Sequence, residues 1–463
     1  MDIKNFSLTD FEDWLNSFLN FEKTPKKNIF WLDTMKFLAS KFGNPQNSYP
    51  TIHVAGSKGK GSVSSFMASI LEEAGFKTGL YTSPHLVSFY ERVALAHGLF
   101  DSIIYEKAEK EMLENEDFFN TENLPEQRSA TWFELVTLFA FLAFRQATCN
   151  AVVVETGLGG RLDATNIVIP KVSVIMPIEL EHTEFLGDTI EKIAYEKAGI
   201  IKEGVPVVCA SQVPQARSVF EKVAAEKNSP IYFFDDFASI KSCEIKELKS
   251  NVEIEFDEKF KNMFPRNLSF STRLLGNIQA MNAAVASFAV KLCFPQISLE
   301  VIEAGLSKAF LSARFEISKK FGTTIIFDGA HTPNSMNLTM ETFSEIVRNE
   351  PGTKNGKGIL LFGCAKDKNM DELSKIALEN HFSKIFLTKP GEKLSDLHEL
   401  VQFFNANNKK DAFTLQPTQI CAISDWDEAF TCAVKEAQET NQFLLICGSF
   451  YLAAAIKAKY FRT

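Results

Sequence analysis

The sequence predicts an α/β protein: a parallel-sheet domain carrying a phosphate-binding loop (P-loop), followed by a smaller α/β, Rossmann-like C-terminal domain. Three observations predict it. Short apolar runs alternate with helically periodic segments, the signature of a parallel sheet covered on both faces. A glycine- and lysine-rich loop lies between the first of these strands and its helix. The alternation then restarts after a boundary near Pro295, dividing the 463 residues into domains of 1–296 and 297–463. A chain of this length is too long for one ordinary core.

The elements follow in order. Residues 1–45 read as helical, with Phe11, Trp14, Leu15 and Phe18 at helical spacing. Pro50 precedes a strand, Thr51 to Ala55. A helix is expected from about Ser62 to Ala74, because Val63, Phe66, Met67, Ile70 and Leu71 line one face and Gly75 closes the end. A strand from Thr78 to Thr82 comes next, then a helix near Thr131 to Gln146 that leads into the strand Ala151 to Glu155. Val172 to Pro177 is a further strand, followed by a helix over Thr189 to Ile200 and a strand over Val205 to Ala210. From Ile240 to Arg273 polar and apolar residues alternate, which predicts a small antiparallel insertion. Asn277 to Cys293 is an alanine-rich helix. The second domain has strands at Thr324 to Asp328, Gly358 to Gly363, Lys384 to Thr388 and Phe443 to Gly448.

Composition removes several classes of function. No apolar run reaches the length of about 18 residues that a membrane span needs. The N-terminus lacks the basic start and apolar stretch of a signal peptide, so the expected compartment is the cytoplasm. The eight cysteines are scattered with no C-x-x-C pair, which argues against a zinc site or a disulfide framework. The net charge is −9 with no basic tail or stripe, which disfavours nucleic acid as a partner.

The loop reads Gly56-Ser57-Lys58-Gly59-Lys60-Gly61-Ser62. Glycines let several N–H groups turn toward one anion, and the helix N-terminus adds partial positive charge. Lys60 can reach terminal phosphates, and Ser62 can face a metal or a phosphate oxygen. The standard G-x-x-x-x-G-K-[ST] spacing is not matched, because Gly61 separates the lysine from the serine. A glycine-rich turn that binds nothing is the plain alternative.

Ligands of open α/β sheets gather at the carboxyl ends of strands. Glu155 ends an apolar strand there, where a carboxylate is costly unless compensated, and a divalent cation would compensate it. His182 is either a completing ligand or a hydrogen-bonded loop histidine. His85 reads as a packing or turn residue. Lys197 lies on a predicted helix, where most lysines are solvated. Asp328 is suited to bind ribose hydroxyls or to cap the following helix.

Taken together, H-V-A-G-S-K-G-K-G-S, Y-T-S-P-H-L with E-R-V, E-T-G-L-G-G-R-L-D-A-T-N, H-T-x-x-L-G, E-K-A-G-I-I-K, R-F-E and D-G-A-H stand in one order along nearly the whole chain. The set resembles the Mur ligase superfamily and, within it, the folylpolyglutamate and dihydrofolate synthase branch. The resemblance implies an ATP-dependent ligase that joins L-glutamate to tetrahydrofolate, or also to dihydropteroate, through an acyl phosphate. It implies ATP and Mg2+ as cofactors, with a monovalent cation such as K+, and a monomer. Gly56, Ser57, Lys58, Gly59, Lys60, Gly61 and Ser62 would hold the phosphates. Ser62, Ser83, Glu155 and His182 would match metal ligands, and Lys197 a lysine that the family carbamylates. Lys60, Glu155, His182 and Lys197 would be the catalytic set. Asn282, Arg314, Asp328 and His331 would match nucleotide-binding positions. The chain departs from the family pattern at Lys58, Glu181, Ile278, Thr332 and Leu311 to Ala313. A ligase of cell-wall precursors, a P-loop ATPase acting on a macromolecule and a nucleotide-binding protein without catalysis are the competing classes.

Overall fold

The computed structural model describes residues 8–20, 31–349, 357–366, 368–380, 382–389, 391, 396–408 and 418–461. The chain forms two compact units. The first comprises Met1–Ser242, Val252–Phe270 and Asn277–Phe310; the second comprises Cys243–Asn251, Ser271–Gly276 and Leu311–Thr463.

The first unit is built on seven strands: β1 (Thr51–Ala55), β2 (Thr78–Tyr81), β3 (Val93–Ala94), β4 (Ala151–Glu155), β5 (Val172–Ile175), β6 (Val207–Cys209) and β7 (Ile231–Phe233). Their order is β3-β2-β4-β1-β5-β6-β7. All neighbours run parallel except the β2–β3 pair. Every residue of β1, β4 and β5 is buried, which is why these strands are mostly apolar, with buried polar exceptions such as His53 in β1 and Ser173 in β5. Chain order reverses about β1, so the crevice outside its carboxyl end is where a ligand belongs.

Helices cover both faces. The helix Lys60–Glu73 starts two residues before the expected Ser62, because Gly59 at φ 83° already serves as its N-cap. The sequence pattern assigned it one apolar face, yet Ser64, Ser65, Ala68 and Ser69 are buried as well. The reason is a further helix, Leu299–Lys308, on the far side: Ser69 Oγ donates to Gly305 O at 2.6 Å and Ser65 Oγ to Phe310 O at 2.7 Å. A Cβ on Gly305 would lie 2.4 Å from Ile70 Cα, so the close approach requires glycine there. This packing places residues 297–310 in the first unit, so its end lies at Phe310 and not at the expected 296.

The helix Trp132–Gln146 is fixed at its start by a capping box in which Thr131 and Glu134 bind each other's backbone N–H groups. It anchors an aromatic core: Phe139 packs on Phe11, Phe89 and Tyr105 with ring centroids 5.2, 5.5 and 6.1 Å apart. Phe11 belongs to a helix, Leu8–Asn16, and a second helix, Asp33–Lys41, follows. The rest of the helical expectation for 1–45 falls partly on residues 1–7 and 21–30, outside the described residues. The insertion is a three-stranded sheet of β8 (Ala238–Lys246), β9 (Lys249–Phe256) and β10 (Leu268–Thr272), in the order β10-β9-β8.

The second unit has six strands: β11 (Glu316–Lys320), β12 (Thr323–Phe327), β13 (Gly358–Phe362), β14 (Phe382–Leu387), β15 (Gln419–Ala422) and β16 (Leu444–Cys447). Their order is β11-β12-β16-β13-β14-β15, parallel but for the β11–β12 hairpin. That hairpin turns at Phe321 and Gly322, both at positive φ. The two edge strands were not expected from the sequence. β11 reads Glu-Ile-Ser-Lys-Lys and β15 Gln-Ile-Cys-Ala, each only partly buried, so neither carries a buried-strand pattern. All eight cysteines are free thiols. Among the described residues no helix is long and apolar enough to cross a membrane.

Candidate active site

β1 ends at Ala55, and the loop that follows is forced into shape by glycines. Gly56 has φ 147°, and a Cβ there would sit 2.6 Å from Met176 Cβ. Ser57 N and Lys58 N both donate to Pro177 O, at 2.9 and 3.4 Å, and Ser57 Oγ donates to Glu179 O at 3.2 Å. These bonds tie the loop to the segment after β5. A Cβ on Gly59 would meet Asn282 Oδ1 at 3.1 Å, so Asn282 lies against the turn, buried, on the helix Asn277–Cys293. The helix then begins at Lys60, and its first-turn N–H groups have no intrahelical acceptor. Gly61 and the buried Ser62 lie on that first turn.

Two lysines converge on one carbonyl. Lys60 Nζ donates to Gly56 O at 3.0 Å, and Lys197 Nζ donates to the same oxygen at 2.9 Å. Two carboxylates balance them. Glu155, the last residue of β4 and 3% exposed, has Oε1 4.0 Å from Lys60 Nζ, and its Oε2 accepts from Ser83 N at 3.3 Å. Glu181 Oε1 accepts from Lys197 Nζ at 3.0 Å.

The electrostatics follow from this geometry. Lys197 is 2% exposed; burial, then the nearby Lys60 ammonium, lowers its pKa to about 8. The expectation of a solvated helix lysine, drawn from residue pattern alone, is therefore wrong: the helix Ile190–Ala198 turns this side chain inward. Burial alone would raise Glu181, but the Lys197 and Lys60 ammonium groups outweigh it and hold Glu181 below the ordinary carboxylate range. His182 stands at φ 47° as the N-cap of the short helix Thr183–Leu186. Burial and then the cations Lys197, Lys60 and Lys58 lower its pKa against the pull of Glu181, so its imidazole is neutral near pH 7. His85 accepts a 2.8 Å hydrogen bond from Arg92 Nε, in keeping with a packing role.

The structure thus brings Lys60, Glu155 and Lys197 together around Gly56, with Ser83 on the Glu155 carboxylate and His182 next to Glu181. Glu181 was not among the expected site residues. Sixteen positions separate it from Lys197, and no periodicity links them. Among the described residues no three His, Cys, Asp or Glu side chains form a cluster that could hold a metal. The Glu155 carboxylate beside the phosphate loop suits magnesium, which keeps its waters and takes one or two carboxylates together with phosphate oxygens.

In the second unit the Arg314 guanidinium lies over the Phe450 ring, 4.4 Å from its centroid, and the His331 ring meets Phe450 edge-on at 5.9 Å. The residues on either side of Arg314, Ala313 and Phe315, have φ 52° and 49°, unfavourable for non-glycine residues. Asp328 and Glu316 hold them there: Asp328 Oδ2 accepts from Phe315 N at 2.8 Å and Glu316 Oε2 from Ala313 N at 3.0 Å, while Asp328 Oδ1 accepts from Ala330 N at 2.8 Å and Thr339 Oγ1 at 2.9 Å. Burial raises the Asp328 pKa and Arg314 opposes the rise.

Two family models match the chain: the Mur ligase middle domain over residues 54–290 and the Mur ligase glutamate ligase domain over 313–450. The dihydrofolate synthase/folylpolyglutamate synthase of Bacillus subtilis is 30% identical over 461 residues, covering 97% of this chain and 98% of that one. The folylpolyglutamate synthase structure from Thermotoga maritima matches with a TM-score of 0.79 at 29% identity, over 98% and 97% of the two chains. An FPGS–AMPPCP complex matches with a TM-score of 0.79 at 25% identity, over 99% of this chain and 100% of that one.

Proposed function

The chain belongs to the Mur ligase family, and on that premise we propose that it is an ATP-dependent ligase joining L-glutamate to the γ-carboxylate of tetrahydrofolate. The relative in Bacillus subtilis carries both synthase activities in its name, so dihydropteroate is proposed as a second acceptor. The observation that carries the reading is the convergence of Lys60 and Lys197 on Gly56 O, with Glu155 and Glu181 balancing them, at the carboxyl ends of β1 and β4. A glycine-rich turn that binds nothing has no need of four charges at this point.

In this reading the acceptor carboxylate takes the γ-phosphoryl group of ATP to give an acyl phosphate. The amino group of glutamate attacks the acyl carbon, and phosphate leaves. The chain positions and neutralises; no enzyme nucleophile is used. The N–H groups of the Lys60 turn and the Lys60 ammonium hold the phosphates; a relative has been solved in complex with AMPPCP. Ser62, Ser83, Glu155 and His182 would hold magnesium, which when bound supplies charge neutralisation at the transferred phosphoryl group. Lys197 is suited to carbamylation, because a pKa of about 8 leaves a fraction of neutral amine at pH 7 to add carbon dioxide. Asn282, against the phosphate loop, would contact the nucleotide, and within the second unit Asp328 serves by fixing the backbone that presents Arg314. The monovalent cation carries no step here. One chain suffices for the reaction, in the cytoplasm, where ATP and folates are at hand.

The test is phosphate release with ATP, magnesium and glutamate, with and without tetrahydrofolate or dihydropteroate. Release that requires both glutamate and a pteridine acceptor is expected. Equal release in every mixture would contradict the reading, and a response to one acceptor alone would name the acceptor.

A further inference from the structure

His53 lies in the middle of β1, facing Val154 of β4 and Ser173 of β5 in register, and is completely buried. A histidine in such a place needs a partner, and it has one. Its Nε2 is 2.9 Å from Thr165 Oγ1. The Thr165 hydroxyl donates to Asp163 Oδ1 at 2.5 Å, and Thr165 N donates to the same oxygen at 3.0 Å. Asp163 Oδ2 accepts from Leu158 N at 2.9 Å. A hydroxyl has one proton, and here it goes to the carboxylate, so Thr165 Oγ1 accepts from His53. The imidazole is therefore the neutral tautomer with its proton on Nε2. The pKa agrees, lowered to about 3 first by burial and then by Lys202. The opposite nitrogen, Nδ1, is buried without a hydrogen-bond partner.

This chain of bonds lies beneath the segment that follows Glu155. The same segment grips the helix end that carries Lys197. Arg161 N donates to Glu196 O at 2.7 Å, and Asn166 Nδ2 donates to Gly199 O and to Arg161 O, both at 3.0 Å. A Cβ on Gly160 would lie 2.9 Å from both Glu196 O and Lys197 O, so the segment and the helix end are in direct contact. We infer that His53 is a positioning residue, which through Thr165 and Asp163 fixes the segment 157–166 and with it the placement of Lys197 relative to Glu155. Its kinetic consequence rests on the ligase reading above; its structural consequence does not.

Three variants test it in the full-length protein. His53→Leu removes the donor, Thr165→Val removes the link, and His53→Gln restores an amide near the Nε2 position. Both disruptive variants are expected to lower kcat for glutamate-dependent phosphate release by about 10- to 100-fold, the usual scale for groups that orient a metal site. KM for ATP should stay within a few-fold, and His53→Gln should recover most of kcat. The double variant His53→Leu/Thr165→Val should be no slower than Thr165→Val, because the two residues act in series. Amide hydrogen exchange at Leu158 and Arg161 should speed up in both disruptive variants, and nitrogen NMR of the wild type should show His53 protonated on Nε2 alone from pH 5 to pH 8. Unchanged exchange, a charged or Nδ1-protonated ring, or multiplying kinetic losses in the double variant would overturn the inference. A wild type without glutamate-dependent turnover would sink the ligase reading, while exchange and NMR would still decide the role of His53.

Discussion

Glu155 and Asp328 occupy the same kind of place in sequence and have opposite surroundings in the structure. Each follows an apolar strand at its carboxyl end, Glu155 closing β4 and Asp328 coming directly after β12. Asp328 takes three hydrogen bonds of 2.8 to 2.9 Å, two from backbone N–H groups and one from a hydroxyl. It is used up inside its own unit, where it stabilises a strained turn. Glu155 has a 3.3 Å backbone contact and a lysine ammonium at 4.0 Å. Glu155 thus stands beside a cation, whereas Asp328 is held by backbone N–H groups and a hydroxyl. A buried acid at a strand end therefore does not by itself identify a ligand site; the charge and kind of its neighbours separate the two cases.

The largest effect should separate the two acids outright. Glu155→Gln is expected to fold with an unchanged or slightly higher melting temperature and to lose glutamate-dependent turnover by about 100- to 1,000-fold. Calorimetry and phosphate release on one preparation check both halves, and full activity would remove Glu155 from the metal site.

Lys197 comes next. Lys197→Ala should lose about 10- to 100-fold in kcat. Stripping carbon dioxide should reduce wild-type activity, and added bicarbonate should restore it. Only the neutral amine adds carbon dioxide, and its fraction grows as pH rises through about 8. At equal dissolved carbon dioxide, recovery should thus be faster at pH 8.5 than at pH 6.5; indifference to bicarbonate would exclude the carbamate.

Asp328→Ala makes the reciprocal case. It leaves the buried Phe315 and Ala330 N–H groups unpaired, at a cost of about 1–3 kcal/mol. Denaturant unfolding should show that loss, whereas Glu155→Gln should not. Equal destabilisation by the two variants would erase the contrast drawn here.

The smallest effect lies away from both acids. Glu109, bonded to Tyr90 Oη at 2.8 Å, has its pKa raised by burial to about 7 from an ordinary 4.5. The folded state then holds a proton that the unfolded state releases, so stability is full below about pH 4.5 and falls as pH rises through 7. Glu109→Gln should flatten that slope, as read from melting temperatures between pH 5 and pH 8.

The central strands of both sheets were legible because burial on both faces leaves unbroken apolar runs, as in Ala151–Glu155 and Gly358–Phe362. Helix starts were legible to within a residue: Thr131 and Thr189, the expected starts, stand one residue before the observed helices, which they cap. The edge strands β11 and β15 were not, because one-sided burial leaves them polar. Residue pattern alone pointed to the P-loop and Glu155 but put Lys197 in solvent; only the motif resemblance pointed to Lys197. Its partner Glu181 and the His53–Thr165–Asp163 chain are products of tertiary folding across separations of 16 and 112 residues, which no local period records.

The most direct test of the proposed chemistry follows an atom. Tetrahydrofolate labelled with oxygen-18 in its γ-carboxylate, incubated with the protein, ATP, magnesium and glutamate, should pass one labelled oxygen to each phosphate released. The acyl phosphate bridges through that oxygen and breaks on the carbon side when glutamate attacks. Phosphate released in step with glutamate addition but free of label would contradict carboxylate activation, and with it the role assigned to Lys60, Glu155 and Lys197.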